Sequence, residues 1–210
     1  MKIAVIGGTG RTGLPLVDEL LRRGHDLTVL ARTPDKLGTL ADRVTVVTGS
    51  STDPAAIDQL LAGEVDAVVS TLGPSKGQPD VCSRSAGPLI DAMHAHGVRR
   101  YVGVSGAGMD VPGDQKGGRD KAISFLIQKV GGAIAVDKRR EYQLFAESDI
   151  DFTLARPPRL LDGPATGRYA SDAHKPGRSN SIKRADLAAF LADVVEQGSY
   201  LRQAPFVSSA

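Results

Sequence analysis

The stretch Ile3-Ala4-Val5-Ile6-Gly7-Gly8-Thr9-Gly10-Arg11-Thr12-Gly13, near the start of the chain, decides the fold. Its first four residues form a short, continuous apolar run, which is typical of a parallel strand buried on both faces. Beyond the glycines, apolar residues recur at helical spacing as far as Gly24: Leu14, Leu16, Val17, Leu20 and Leu21. The stretch therefore predicts a strand, a glycine-rich turn and an amphipathic helix in direct succession.

Strands and helices continue to alternate along the rest of the chain. The further predicted strands are Leu27 to Leu30, Val44 to Val47, Ala67 to Ser70, Tyr101 to Val104, Phe152 to Ala155 and Ala204 to Val207. The further predicted helices lie near Pro54 to Leu61 and Ala86 to His96, within Asp137 to Glu147, and over about Arg184 to Gln197. This alternation predicts a doubly wound α/β fold of the Rossmann type, with a mostly parallel sheet and helices on both faces. We expect one domain, residues 1–210.

Two stretches, Gly106 to Gly118 and Leu160 to Ser181, lack a clear period and are rich in glycine, proline and charge. Both follow predicted strands, and open α/β sheets bind ligands beyond the carboxyl ends of their strands. We expect them to form the walls of a substrate site, the second as part of a small C-terminal extension on the substrate side.

The composition excludes several classes of partner. The chain has 26 basic and 24 acidic side chains, a net charge of +2, and the basic ones are scattered along the sequence. A nucleic acid is therefore not an expected partner. No apolar run approaches the length of a membrane span, and the N-terminus does not resemble a secretion signal, so we expect a cytoplasmic protein without membrane contact.

Cysteine and histidine usage gives no sign of a metal site. Cys82 is the only cysteine, and a half-buried apolar role is the usual one for a free thiol. The four histidines are dispersed, and His94 and His96 are two residues apart on a predicted helix, where they do not share a face. We predict no bound metal.

The glycines of the opening stretch indicate a cofactor. Gly7, Gly10 and Gly13 allow a tight turn, a close approach of backbone to a diphosphate, and close packing of the helix on the strand. The helix N-terminus also favours the phosphate charge. This setting predicts a dinucleotide site, and a plain glycine-rich turn between strand and helix is the alternative.

The residues after the second strand favour NADP(H). A site for NAD places a carboxylate there, about 20 residues beyond the glycines, to accept from the ribose 2′-hydroxyl. This chain has Ala31, Arg32 and Thr33 at that position. The planar fork of Arg32 suits a 2′-phosphate, with Arg11, Thr33 and Lys36 as further contacts. A solvated arginine in a turn is the alternative.

Several motifs together resemble the atypical short-chain dehydrogenase/reductase family, in the NAD(P)H-binding branch that includes biliverdin reductase B (flavin reductase) and NmrA-like proteins. They are Gly7 to Gly13, Arg32, Ser70 to Gly73, Gly97 to Ser105, and Ser148 to Pro158. These motifs extend over nearly the whole chain, and the last two are quite specific to this branch.

The resemblance assigns places to several residues. It implies that Thr71 to Gly73 lie along the cofactor, that Ser105 lies near the nicotinamide, and that the backbone after Arg156-Pro157 borders the nicotinamide pocket. From the motifs and the resemblance together, we predict these cofactor-binding residues: Gly7, Thr9, Gly10, Arg11, Thr12, Gly13, Arg32, Thr33, Ser51, Thr71, Leu72, Gly73, Ser105 and Pro157.

The sequence departs from the wider superfamily at the proton donor. Typical members carry a Tyr-x-x-x-Lys pair, whose lysine lowers the pKa of the tyrosine so that it can protonate a carbonyl oxygen. Here Ser105 stands four residues after Tyr101, and Ala146 four after Tyr142. Hydride transfer to a flavin or another conjugated acceptor needs such a donor less, because the incoming charge is delocalised.

Two residues are candidates for a catalytic role. Ser105 follows an apolar strand, where its hydroxyl could bond the nicotinamide amide or the acceptor; the alternative is a serine that bonds its own loop. Tyr142 lies on the helix that faces the site in the family; the alternative is a partly buried structural tyrosine.

Three hypotheses about function follow. The first is an NADPH-dependent oxidoreductase that transfers hydride to a flavin, a quinone or a similar conjugated small molecule. The second is a non-catalytic NADP(H)-binding redox sensor, NmrA-like, that acts on a protein partner. The third is an NAD(P)-dependent epimerase or reductase of the extended type. A homodimer is compatible with each, since the family contains both monomers and dimers.

Overall fold

The computed structural model describes residues 1–74 and 77–210. Its central sheet consists of six parallel strands: β1 (Lys2–Ile6), β2 (Asp26–Ala31), β3 (Thr45–Thr48), β4 (Ala67–Ser70), β5 (Arg100–Val104) and β6 (Asp151–Ala155). Their order in space is β3-β2-β1-β4-β5-β6. This is the strand order of a Rossmann sheet, in which the chain changes direction across the sheet between β1 and β4. The predicted fold class is confirmed.

The helices cover both faces of the sheet. They are α1 (Gly13–Arg22), α2 (Pro54–Leu61), α3 (Val81–Ala95), α4 (Gly118–Val130), α5 (Gly132–Glu147) and α6 (Arg184–Gln197), with a 3-10 segment at Pro34–Arg43. Successive residues of β1 serve opposite faces, because side chains alternate along a strand. Ile3 and Val5 pack with α1 and α6, whereas Ala4 and Ile6 pack with α2, α3 and α5.

Four short strands form the C-terminal extension beside the main sheet. β7 (Arg159–Leu161) pairs in parallel with β9 (Ser181–Lys183), and β8 (Tyr169–Asp172) pairs antiparallel with β10 (Phe206–Ser209). The sequence predicted the last strand two residues early, and it predicted irregular structure for residues 160–181. Both expectations are wrong in detail, since strands of three or four residues carry too little period to be recognised.

The helix α4 was not predicted at all. Three of its large apolar residues, Phe125, Leu126 and Val130, are exposed. Exposed apolar residues blur the amphipathic pattern on which a sequence-based assignment depends. No helix in the described parts of the chain is long and apolar enough to cross a membrane.

The helix α3 begins at Val81, five residues before its predicted start. Its first turn is capped from another helix: the buried carboxylate of Asp137 on α5 accepts from the backbone N–H groups of Cys82 and Ser83, at 3.1 and 2.9 Å. Helix N-termini are usually capped by a residue next to them in sequence. The cap here comes from a residue more than fifty positions away, so no local pattern marks it.

Candidate functional site

The glycine-rich turn after β1 has the geometry of a phosphate cradle. The backbone N–H of Gly10 donates to the carbonyl of Gly7 at 3.0 Å, which closes the turn. A Cβ atom on Gly13 would lie 2.0 Å from the Gly7 oxygen, so α1 can begin this close to β1 only at a glycine. The sequence predicted a glycine here for close packing of the helix on the strand, and this short distance agrees with that reason.

The end of β4 meets the same turn. The Thr71 hydroxyl donates to the Gly7 carbonyl at 3.1 Å, and the Thr71 N–H donates to the Ile6 carbonyl at 2.9 Å. A Cβ on Gly7, whose φ is +78°, would lie 2.9 Å from the Leu72 nitrogen. The structure thus brings residues 7–13 and 71–73 together between β1 and β4, the point at which such sheets bind ligands.

The N-terminus of α1 remains open to an anion. Its first turn has no acidic residue, and Thr12, at the N-cap position, makes no side-chain capping hydrogen bond. The first backbone N–H groups of a helix have no partner within the helix and carry partial positive charge. Together with the glycine turn and the half-buried Thr9, this end of α1 fits the diphosphate of a nicotinamide dinucleotide.

Arg32 and Thr33 follow β2 directly and are both exposed. One guanidinium nitrogen of Arg32 donates to the side-chain oxygen of Gln78 at 3.0 Å, across the edge of the sheet. Gln78 is a residue that the sequence did not indicate, since it lies 46 positions from Arg32. The contact holds the guanidinium beyond β2, where a 2′-phosphate would be bound.

Two other predicted cofactor residues have partners of their own. Arg11 forms an ion pair with Asp162 in the C-terminal extension, and Asp162 also pairs with Arg184 at 2.7 Å. The hydrogen bond from Arg11 lowers the pKa of the Asp162 carboxyl. Ser51 is buried and accepts from the hydroxyl of Ser85 on α3 at 2.9 Å. The structure therefore connects Arg11 to the substrate side and Ser51 to α3.

A cavity of about 210 Å³ lies at the carboxyl end of β5, and Ser105 lines it. The backbone N–H of Ser105 donates to the Ala155 carbonyl at 2.7 Å, which fixes the residue against β6. Its hydroxyl donates to a weak acceptor, the Met109 sulfur, at 3.4 Å. Ser105 is thus held firmly by its backbone while its hydroxyl can exchange partners.

Lys138 of α5 lines the same cavity, and the sequence did not single it out. Its ammonium group donates to the Val104 carbonyl at 2.8 Å and to the Glu141 carboxylate at 2.9 Å. Burial opposes the charge on Lys138, but the adjacent Glu141 outweighs it and raises the pKa of the ammonium group. Lys138 is therefore a fixed positive charge at the end of β5.

Tyr142 does not lie with these residues. Its ring packs edge-on against Phe152 at 6.0 Å between centroids, and it does not line either of the two cavities described here. The physical reason is the direction of α5, which runs back along the sheet, so that each turn moves about 5 Å away from the carboxyl edge. Tyr142 is one turn farther along than Lys138. The placement does not support Tyr142 as a proton donor.

A larger cavity of about 520 Å³ adjoins the smaller one, and Gly106 and Gly108 line both. The two stretches predicted as substrate walls both contribute to it, through residues 106–108 and 176–180. Pro157, the last predicted cofactor residue, lines this cavity, and its carbonyl accepts from the Ala107 N–H at 2.9 Å.

Two ion pairs, each with a buried cation, hold the walls of the larger cavity. Arg156 is fully buried and forms two 2.7 Å hydrogen bonds to Asp114, with Phe206 stacked 3.7 Å from its guanidinium carbon. Lys116 is also buried and pairs with Asp110 at 2.6 Å. Arg156 is thus a structural residue that secures the loop after β5.

The geometry can be compared with known proteins. The sequence profile of the NAD(P)H-binding family matches residues 7–198. The chain belongs to this family. The match to an NAD(P)H-binding family supports a nicotinamide cofactor for this chain. The resemblance noted in the sequence, to an NAD(P)H-binding branch of the atypical short-chain dehydrogenases/reductases, agrees with this family.

Three relatives show the range of the similarity. The chain is 31% identical over 185 residues to a 3-diazoavenalumate denitrifying reductase of Streptomyces sp., covering 82% of this chain and 60% of that longer protein. A crystal structure from Burkholderia pseudomallei is 32% identical, with 99% of both chains covered and a TM-score of 0.78. An anaerobilin reductase from Escherichia coli shares the fold, with a TM-score of 0.82, 21% identity, and coverage of 100% of this chain and 97% of that one.

Proposed function

We propose that this protein is an NADPH-dependent oxidoreductase that transfers hydride to a flavin, a quinone or a similar conjugated small molecule. The observation that carries the proposal is the continuity of the site. The cradle of residues 7–13, the cavity at Ser105 and the larger cavity follow one another along one edge of the sheet. A cofactor along the first two would present its nicotinamide end to a molecule in the third.

Different residues of the site would bind different parts of the cofactor. The turn of residues 7–13 and Thr71 would hold the diphosphate, and Arg32, supported by Gln78, would hold the 2′-phosphate. Ser105 and Lys138 would orient the nicotinamide end. When bound, the cofactor supplies a hydride, which is two electrons and one proton, and solvent supplies the second proton to the reduced acceptor.

The sequence supports an acceptor of this chemical type. None of its tyrosines has a lysine four residues further along the chain. Reduction of a carbonyl group in this superfamily relies on that pair as the proton donor. A conjugated acceptor delocalises the incoming charge, so positioning and exclusion of water can supply most of the rate. The Streptomyces relative, itself named as a reductase, supports the same reaction class.

The experiment is an assay of NADPH oxidation, with FMN, FAD, quinones and biliverdin as acceptors and with NADH in parallel. We expect turnover with at least one acceptor. In an Arg32→Ala variant, the KM for NADPH should rise by about tenfold or more, because charge-assisted hydrogen bonds are lost, while the KM for NADH stays the same. Arg43→Ala, which removes an exposed arginine at the end of the 3-10 segment, is the matched control.

Tight NADPH binding without oxidation of any acceptor would contradict the proposal. It would favour instead a redox sensor that acts on a protein partner. An equal loss of NADPH and NADH affinity in Arg32→Ala would contradict the assignment of Arg32 to the 2′-phosphate.

A further inference from the structure

The larger cavity is lined by more cationic side chains than its own ion pairs neutralise. Its two buried cations, Arg156 and Lys116, are paired with Asp114 and Asp110 and are committed to holding the walls. Two further arginines, Arg159 and Arg178, also line the cavity. We call them the rim arginines.

The rim arginines are exposed, and within residues 1–74 and 77–210 neither guanidinium forms an ion pair. Asp120 lines the same cavity, so the two guanidinium groups exceed this carboxylate by one positive charge. A cavity surrounded by low-dielectric walls concentrates the field of such a charge. The site therefore favours a ligand with a negative group.

The chain brings the rim arginines to one side of the cavity. The N–H of Arg159 donates to the carbonyl of Asn180 at 3.3 Å, and Arg159 lies opposite Ser181 in the pairing of β7 with β9. The segment that carries Arg178 is thus bound alongside Arg159. Gly177 lets this segment approach β10 closely, since a Cβ there would lie 2.1 Å from the Ser208 hydroxyl oxygen.

The remaining walls are mostly apolar, with the polar side chains of Ser124, Ser179, Asn180 and Ser208 among them. Pro157, Pro158, Phe206 and Val207 all line the cavity. Apolar walls suit the flat body of a conjugated molecule, and guanidinium groups bind carboxylate or phosphate through paired hydrogen bonds. The volume of about 520 Å³ lies within the range of small-molecule sites.

We propose that the larger cavity binds an acceptor that carries a carboxylate or a phosphate, and that Arg159 and Arg178 hold this anionic group. This inference rests on the proposed function, because that function makes the bound molecule a hydride acceptor. The binding step, however, can be measured whether or not hydride is transferred.

The test compares ligands that differ in the anionic group alone. Quenching of flavin fluorescence measures the affinity of the NADP-loaded protein for FMN and for riboflavin, which lacks the phosphate. Cinnamate and cinnamamide, as competitors of FMN, form the carboxylate pair. We expect the anionic member of at least one pair to bind about tenfold or more tightly than its neutral partner, and added salt to weaken only the anionic member.

An Arg159→Gln/Arg178→Gln double variant should abolish this preference while leaving the affinity for riboflavin unchanged. The matched control is Arg168→Gln/Lys175→Gln, which removes two exposed cations of the same extension that do not line the cavity. It should keep the preference. Unchanged melting temperature and NADPH affinity would show that the double variant is folded.

The outcomes separate the two proposals. Equal affinity for anionic and neutral members of both pairs, or a preference that survives in the double variant, would overturn the anionic site even if the protein turns over riboflavin. A preference for the anion that disappears in the double variant, without any NADPH oxidation, would support the anionic site and contradict the oxidoreductase.

Discussion

Two regions at the carboxyl edge of the sheet are held in different ways. The cofactor cradle, residues 7–13 with 71–73, is held by backbone: its turn closes on carbonyl oxygens, and Gly7 and Gly13 leave no space for a Cβ. The substrate-side loops, residues 106–118 and 156–181, are held by charge, chiefly by Arg156 with Asp114 and by Lys116 with Asp110. The cradle can vary little in sequence, whereas the loops can change their exposed residues as long as the buried pairs remain.

The largest effect is expected in the cradle. In Gly13→Ala the new Cβ would meet the Gly7 oxygen at 2.0 Å, so β1 and α1 must separate. A displacement of this kind at a phosphate site should weaken NADPH binding by about a hundredfold. Gly87→Ala on α3, where a Cβ meets nothing within 4 Å, is the control and should stabilise the helix slightly. Fluorescence titration measures the affinity of both variants for NADPH. Near-normal binding by Gly13→Ala would show that the cradle is not rigid.

The second test is directed at the substrate-side loops. Arg156→Met removes both hydrogen bonds from Arg156 to the buried Asp114 carboxylate, which keeps the Lys116 ammonium group at 3.8 Å. This loss should lower the free energy of unfolding by about 3 kcal/mol. Arg84→Met removes the exposed ion pair with Asp80, whose charged atoms are 3.8 Å apart. It should change the free energy of unfolding by about 0.5 kcal/mol or less. Urea titration gives both values. If the regions are independent, the Arg156→Met protein, where folded, keeps its affinity for NADPH; a parallel loss would show that they are coupled.

A third test concerns Ser105, which lies between the two regions. Its hydroxyl donates to the Met109 sulfur, a weak acceptor, so Ser105→Ala should leave the melting temperature almost unchanged. The loss of one hydrogen bond to the bound molecules should lower kcat/KM by about threefold to tenfold. Steady-state kinetics with the best acceptor measures this. The control is Ser83→Ala on α3, whose hydroxyl donates to the Asp80 carbonyl at 3.4 Å and does not line either cavity. The same kinetics in both variants would assign Ser105 to its own loop.

A fourth test, the only one that leaves binding and catalysis untouched, concerns Cys82, beneath the cradle. Burial raises the pKa of its thiol from 9.0 to about 12. At neutral pH the folded protein should hold about a thousandfold less thiolate than a free cysteine and resist alkylation, as measured with iodoacetamide before and after unfolding. Since the unfolded chain releases this proton first, the contribution to stability is present below pH 9 and is lost between pH 9 and 12. Rapid alkylation of the folded protein would contradict this burial.

The sequence predicted the parts of the fold that have a local cause. The helices Pro54–Leu61 and Arg184–Gln197 and the strand Ala67–Ser70 have their predicted bounds. Helix α2 begins at an Asp-Pro pair, where the Asp53 carboxylate accepts from the Ala55 N–H at 3.1 Å. Such signals are complete within a few residues. In the candidate site, the glycine turn was predicted for the same reason, whereas the place of residues 71–73 was implied by the resemblance to a known family.

The sequence alone determined the glycine turn, the alternation of strands and helices and the arginine after β2, because each depends on residues close together in the chain. The tertiary structure decided which residues surround the site. Gln78 supports Arg32 from 46 positions away, Asp114 holds Arg156 from 42, and Asp137 caps α3 from 55. It also placed Lys138, one helical turn before Tyr142, at the end of β5. Contacts between distant residues depend on how the layers pack, and no local period records that packing.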